Sequence, residues 1–237
     1  MSTGFILPPW SFTMLELFEQ CPFKAFNKYI LKLKEAETEA MRKGKLVDKA
    51  LEDRVKDGVV LTGEYAALES LVGPLAAMRN QNNQVYTQLK MAIRRDFSPC
   101  DFWAKDVWGR GAIDFLAISK RVECNPCTAL VIDYKNGKNN ESAAWYDGGL
   151  QRKIFTLMTW KMFPGVDKVT TFNLYLTLPK PMGKPLVFTR ADEANLWREV
   201  LPKIMRVEKA FTEQRWPVTP GPLCGYCPVK TCQFNRS

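Results

Sequence analysis

Histidine is absent from all 237 residues, and this absence removes more chemistry than any other feature of the sequence. Serine–histidine and cysteine–histidine catalysis are both excluded. So are histidine-bearing zinc sites of the HExxH kind. A bound metal would have to rest on thiolates, carboxylates, carbonyls or water. No apolar run approaches the ~20 residues that a membrane helix needs. The opening MSTGFILPPWSF has neither a basic leader nor a small-residue cleavage site, so no secretory signal is read and a cytoplasmic protein is expected. The seven cysteines are an odd number, which argues against a secreted disulfide framework. Internal repeats and low-complexity linkers are also lacking.

What is present suits one well-cored domain, with or without a small appended lobe. Hydrophobic residues at 46% and charged residues at 25% are ordinary values for a soluble globular chain, so composition alone names no special class. Charge says more. Lysine and arginine number 34 against 25 acidic residues, a net +9, which favours a polyanionic partner because neutralised phosphates release counterions.

Apolar spacing predicts an amphipathic helix from Ser11 to Leu33, with Thr13 and Glu16 as a capping box and Pro22 kinking or splitting it. A second helix is expected from Glu37 to Asp57, ending before Gly58. Residues 64–95 read as helical, interrupted at Gly73-Pro74 and with a loop near Asn80 to Gln84. From Val107 the texture changes to β-branched, apolar runs. VWGRGAIDFLAI and TALVIDYK read as adjacent strands around a turn at Asn125-Pro126. Gly148 to Met162 is expected as a helix, KVTTFNLYLTL and PLVFTR as a hairpin, and Ala191 to Gln214 as a last helix capped near Thr189 and Asp192 and bent at Pro202. The remaining tail, rich in proline, glycine and cysteine, should be irregular. Helices, strands, helix, strands and helix in that order make an α/β or α+β sheet with helical cover.

Within this frame three pieces carry chemistry. Asp114 lies in the apolar stretch GAIDFLAI, where an isolated carboxylate is costly to ionise. Asp133 and Lys135 are two apart in the next strand, so they project from one face. Gln151 opens the following helix. Two aspartates and the carbonyl of Tyr134 would give a hard-oxygen site for Mg²⁺ or Mn²⁺. Lys135 could orient a water or take its proton. Alone, an Asp-x-Lys pair in a strand is a common surface pattern. It gains meaning from its neighbours.

Cys224, Cys227 and Cys232 are three closely spaced thiols near one end of the chain, and Cys21 near the other is the natural fourth ligand. Such a set suits either Zn²⁺ or an iron–sulfur cluster, and spacing does not separate the two. Cys100, Cys124 and Cys127 lack a fourth partner and are expected to bind nothing.

Together these residues resemble the RecB-like nucleases of the PD-(D/E)xK superfamily, especially the CRISPR-associated RecB-like exonucleases with an iron–sulfur cluster and their phage homologues. Ser11-x-Thr13 followed by Glu19-Gln20-Cys21-Pro22 is similar to that family's opening helix. Gly111-x-Ile113-Asp114 and Asp133-Tyr134-Lys135 are similar to its second and third motifs, and Gln151 with Phe155 to the glutamine–tyrosine motif that follows. Trp216-Pro217 before the three cysteines is similar to its cluster signature. The resemblance runs nearly end to end.

It implies a restriction-endonuclease-like core at 101–214, a helical region at 36–100, and an iron–sulfur lobe built from 1–35 and 215–237 around a [4Fe–4S] cluster on Cys21, Cys224, Cys227 and Cys232. It also implies exonucleolytic cleavage of DNA ends, with some single-strand endonuclease activity, in recombination, replication or DNA processing. A homo-oligomer and a recombination or CRISPR-adaptation partner belong to the same set of implications. Two departures stand out. Gly44-Lys45-Leu46-Val47-Asp48 places aspartate where the family has a metal-binding histidine, with Glu52 one turn on as a fallback. Phe155 replaces a tyrosine and loses its hydroxyl.

For the nucleic acid itself, Lys24, Lys28 and Lys32 would share a helix face at i, i+4 spacing. Arg42, Lys43, Lys45 and Lys49 offer another basic face, and Arg152-Lys153 follow Gln151. Solvated helix faces explain the first two groups as well as phosphate contacts do. Trp145 and Tyr146 are read as core or as a platform for an unpaired base. The alternative to a nuclease is a catalytically silent DNA-binding or assembly protein on the same fold, with the missing histidine as its support.

Overall fold

The computed structural model describes residues 6–81, 83–119, 127–136, 149–177 and 183–235. The expected turn at Asn125-Pro126, together with Cys124, Trp145 and Tyr146, lies outside the described residues. The chain opens with two short helices. α1 (Phe12–Gln20) is capped by Ser11, whose hydroxyl accepts from Met14 N at 3.3 Å. The cap is therefore Ser11, not Thr13. It buries Met14, Leu15 and Phe18 along one face. Cys21 then takes an extended conformation (φ −161°), and Pro22 starts α2 (Pro22–Tyr29), since proline at the first helical position gives up no needed hydrogen bond. Of the kink or split expected at Pro22, the structure shows the split: two helices, broken by one residue. Lys32 follows α2 at φ 57°, so the predicted Lys24–Lys28–Lys32 stripe ends after its second member.

Helix α3 (Glu39–Asp57) is capped by Thr38, with Glu39 in its first turn and Arg54 and Lys56 in its last, which complements the helix dipole. A 3₁₀ turn at Gly63–Leu68 leads into α4 (Glu69–Ala77). Arg54 clamps α4 to α3 through a two-pronged pair with Glu69 (2.6–2.9 Å), and Glu69 also accepts from Leu61 N. Helix α4 runs through Gly73-Pro74 without interruption.

Residues expected to be helical form the long strand β1 (Asn83–Ile93). Tertiary pairing overrides local preference here, because β1 is hydrogen-bonded along nearly its whole length to β3 (Gly109–Ser119), from Asn83↔Ser119 to Ile93↔Gly109. A two-residue strand β2 (Pro99–Cys100) closes that edge. β4 (Thr128–Lys135) pairs antiparallel with β3, as expected, and β5 (Lys168–Tyr175) pairs parallel with β4. The crossover between these parallel strands carries helix α5 (Leu150–Met162). β6 (Leu186–Thr189) forms the predicted antiparallel partner of β5, and the sheet order is β2-β1-β3-β4-β5-β6. Thr189 and Asp192, expected near the cap, make a capping box that leads into α6 (Glu193–Thr212), a helix that contains Pro202.

Two apolar layers cover the sheet. One joins α1, α5 and α6 to it, with Leu15, Ile113, Leu116, Ile154, Met158, Trp160 and Ile204 inside. The other joins α3 and α4 to it through Leu51, Val55, Val72, Phe115, Ile132 and Tyr134. Fully burying a side chain such as Leu51 or Ile154 contributes about 1.5–3 kcal/mol.

The described C-terminal tail folds back on the beginning of the chain. Phe23 N donates to Pro217 O at 3.2 Å. The Trp216 ring lies 5.2 Å from that of Phe26 and 6.0 Å from that of Phe18.

Candidate active site

Strands β3 and β4 stay paired from Ile118↔Ala129 to Phe115↔Ile132 and then part. The next pair would be Asp114 with Asp133. At this opening the Asp114 carboxylate takes the place of a backbone partner, and its Oδ2 accepts from Tyr134 N at 2.7 Å. On its other side, Oδ1 accepts from Gln88 Nε2 at 3.1 Å.

Gln88 is the residue that sequence reasoning missed. It lies within β1 at φ 48°, a conformation uncommon outside glycine, and the β1–β3 ladder skips the Gln88–Asp114 rung while keeping its register on either side. The burial phase of both strands changes here. Above the break Tyr86, Leu116 and Ile118 face the α5 layer; below it Leu89, Met91 and Ile113 do. In the sequence, the signal is the apolar pair Phe115-Leu116 after Ile113-Asp114, which breaks strict alternation.

Asp133, Lys135 and Gln151 form a closed ring. Lys135 Nζ is 2.6 Å from Asp133 Oδ2 and donates to Gln151 Oε1 at 2.8 Å; Gln151 Nε2 donates to Asp133 Oδ1 at 2.7 Å. Asp133 and Gln151 are buried, at 6% and 9% exposed. An ionised carboxylate that deep requires such pairing. Gln151 is held in place by the start of α5, where Gly149 sits at φ 69°. A side chain there would be strained, and its Cβ would come within 2.8 Å of Leu186.

Asp48, on α3, reaches the end of β4, where Asn136 Nδ2 donates to its Oδ1 at 3.2 Å. Gly44, one turn earlier, passes over the same asparagine. Glu52 pairs at 3.7 Å with Lys49. Burial is the main cause that raises the pKa of Asp48, with the Asn136 hydrogen bond opposing it. For Asp114, burial and then the charges of Asp133 and Asp48 push the carboxyl up to about 7, against the hydrogen bonds from Tyr134 N and Gln88. Burial and the charges of Asp114 and Asp48 likewise raise the Tyr134 phenol.

The three aspartates and the Tyr134 carbonyl are an all-oxygen donor set, suited to a hard divalent cation that would relieve this mutual repulsion. Among the described residues no three histidine, cysteine, aspartate or glutamate side chains are drawn into a finished ligand group. The same holds for Cys21, Cys224, Cys227 and Cys232. They are free, half-buried thiols on two segments that the Phe23–Pro217 hydrogen bond brings together. Cys100 and Cys127 form no disulfide, and the Cys127 thiol donates to the Ser119 carbonyl at 3.6 Å.

Most of the basic residues singled out from the sequence are engaged within the fold. Arg152, 8% exposed, donates to the Lys184 carbonyl at 2.8 Å, and Lys153 pairs with Glu199 of α6 at 2.5 Å. Lys28 pairs with Glu35, Lys43 with Glu39, Lys45 with Glu37 and Lys49 with Asp53. Lys24 is half-buried on α2. Phe155 is a core residue packed beneath Gly111, so the lost hydroxyl falls in the apolar layer.

A mixed six-stranded sheet flanked by helices, with two aspartates and a lysine on adjacent strands and a glutamine at the head of the crossover helix, has the architecture of the PD-(D/E)XK nucleases. The chain belongs to the PD-(D/E)XK nuclease superfamily, whose family model matches residues 9–232. It is therefore a member of a superfamily of hydrolases that act on nucleic acid. Among solved structures, the chain is similar to one from Eubacterium rectale described as a "Putative exonuclease", at 12% identity and a TM-score of 0.56, with 94% of this chain and 88% of that one covered. It also matches the crystal structure of SSO0001, at 14% identity and a TM-score of 0.42 over 97% of this chain and 88% of that one. No curated protein matches the sequence.

Proposed function

We propose that the protein is a Mg²⁺- or Mn²⁺-dependent exonuclease that hydrolyses phosphodiester bonds at DNA ends. The observation that carries this reading is the closed ring of Asp133, Lys135 and Gln151 beside the Asp114 carboxylate. Asp48, Asp114, Asp133 and the Tyr134 carbonyl would hold the cation. When bound, it would lower the pKa of a water and offset charge on the scissile phosphate. Lys135 would orient the attacking water or, after giving up its own proton, accept one from it, and Gln151 holds the lysine and Asp133 relative to each other. Asp48 takes the position where relatives in the RecB-like group carry histidine, and its oxygen suits a hard cation at least as well.

The test is a cleavage assay on end-labelled single- and double-stranded DNA with Mg²⁺, Mn²⁺ or chelator, comparing the native protein with Asp133→Ala. Metal-dependent degradation that Asp133→Ala abolishes supports the reading. Tight DNA binding without cleavage under either metal would replace it with a silent binding protein.

The four cysteines support a second part of the reading, a [4Fe–4S] cluster that clasps residues 1–35 to 215–237, with zinc as the other occupant of such a set. The adjoining of Phe23 and Pro217 supports it, and the thiols would have to draw closer on loading. A brown protein with stoichiometric iron, bleached by Cys21→Ala, is expected. A colourless protein containing zinc would reassign the metal.

A further inference from the structure

The exposed side of β1 and β3 next to Asp114 carries a cluster with no part in the catalytic ring. After β2 the chain makes a tight turn in which Asp101 accepts from Trp103 N at 2.8 Å and Ala104 N donates to Asp101 O at 3.1 Å. This turn holds the Phe102 and Trp103 rings edge to face, with centroids 4.9 Å apart. Trp103 is 69% exposed, although burying an indole is among the larger gains available to a fold.

Two cations lie against these rings. Lys90 Nζ is 5.7 Å from the Phe102 centroid and 5.5 Å from that of Trp103; the Arg110 guanidinium is 5.3 and 5.7 Å from the same two. None of the ion pairs among the described residues involves either cation. Lys90 faces Ala112 across the ladder, two residues before Asp114, and Arg110 is four residues before it. At about 3.3 Å per residue these positions lie ~7 and ~13 Å from Asp114 along the strand.

We propose that Lys90, Phe102, Trp103 and Arg110 form a platform for an unpaired nucleic-acid strand, which it leads toward Asp114. This inference rests on the reading of Asp114, Asp133 and Lys135 as a nuclease centre. Exposed aromatic faces bind bases that have left a stack, and cations interleaved with them take the phosphates. A duplex, with its bases already stacked inside, offers the rings nothing. An apolar protein partner would have to desolvate two cations that have no carboxylate to answer them.

The test uses full-length protein carrying Asp133→Ala, so that the probe survives, and reads the anisotropy of a fluorescein-labelled oligothymidylate. Trp103→Ala should weaken binding about tenfold, with Trp103→Phe retaining most of the affinity. Lys90→Ala with Arg110→Ala should flatten the dependence of log K on log salt by about 1.4, the release expected for two single-strand phosphates. Affinity for a blunt duplex should change less than about twofold with Trp103→Ala. Equal binding of the oligothymidylate by Trp103→Ala and its parent overturns the platform, as does an equal loss on blunt duplex. An unchanged circular-dichroism melt shows that the variant is folded. Cleavage by the native protein is scored separately. Cleavage with no effect of Trp103→Ala on binding sinks the platform and leaves the nuclease reading intact. A Trp103-dependent binder that never cleaves sinks the nuclease reading and keeps the platform.

Discussion

Gln88 and Asp114 face each other across the one rung that the β1–β3 ladder omits, and the side-chain amide of the first holds the carboxylate of the second. The left-handed backbone at Gln88 costs about 1–2 kcal/mol for a residue with a Cβ. The burial phase of both strands changes at this rung, where the Asp114 carboxylate enters the gap between β3 and β4. Substituting glycine separates conformation from contact, because glycine accepts φ 48° but lacks the amide. Gln88→Gly should melt within a few degrees of the native protein and cleave about tenfold more slowly. Unchanged cleavage would reduce Gln88 to a backbone role.

The ring around Asp133 makes an opposite pair of forecasts. Lys135→Met leaves a buried carboxylate without its cation and should destabilise the metal-free protein by about 3 kcal/mol. Adding Asp133→Asn removes the stranded charge and should restore most of that stability without restoring cleavage. Denaturant melts of the two variants check this. A double variant no more stable than Lys135→Met would mean that the ion pair is not what the single change breaks.

Asp114 ties stability to pH. Its carboxyl is pushed up to about 7 in the folded protein, mainly by burial and then by the charges of Asp133 and Asp48. Between its ordinary value and about 7 the folded state therefore binds more protons than the unfolded state. Asp114 costs nothing below that window and its full penalty above it, so its contribution makes the metal-free protein less stable as pH rises from about 4 to 7. Asp114→Asn should flatten that slope in melts between about pH 5 and 8, and Mg²⁺ or Mn²⁺ should recover stability at the alkaline end. A slope that Asp114→Asn leaves unchanged would place its origin elsewhere.

Gly109 is set by contact with Trp10. The two residues form a parallel bridge, and a Cβ at Gly109 would lie 2.3 Å from the Trp10 ring. Trp10 itself is buried at the edge of the α1 layer. Gly109→Ala should cost about 2–3 kcal/mol through displacement of the indole, read as a lower midpoint in chemical denaturation. A neutral result would mean that the N-terminal segment re-seats freely.

Most of the candidate site was legible because it is local and periodic. Asp133 and Lys135 share a strand face by spacing alone, and Gln151 follows at the start of the next element. Asp48 was legible through its place after Gly44. Gln88 was not, because its role arises from a non-local pairing with residue 114 and from a backbone angle that no side-chain pattern encodes. The helix expected across 83–93 failed for a related reason: NQVYTQLKMAI suits either form, and β3 decides it. The surroundings of the basic residues were the least legible. The lysines of α3 are answered by carboxylates on the same or adjoining segments, and Arg152 lies inside the fold, whereas Lys90 and Arg110, scattered in sequence, meet only across the sheet.

The clasp between the first helices and the tail bears on how the protein is made. Glu19 on α1 pairs with Lys203 and Arg206 on α6, 184 and 187 residues away, and the Trp216 ring rests on Phe18 and Phe26. Contacts so distant in sequence form slowly and late. The first two helices are therefore expected to stay incompletely packed during synthesis until α6 and residue 216 are available to cover Phe18 and Phe26. A chain halted before that point would still display the aromatic surface that chaperones and proteases use to sort finished proteins from unfinished ones.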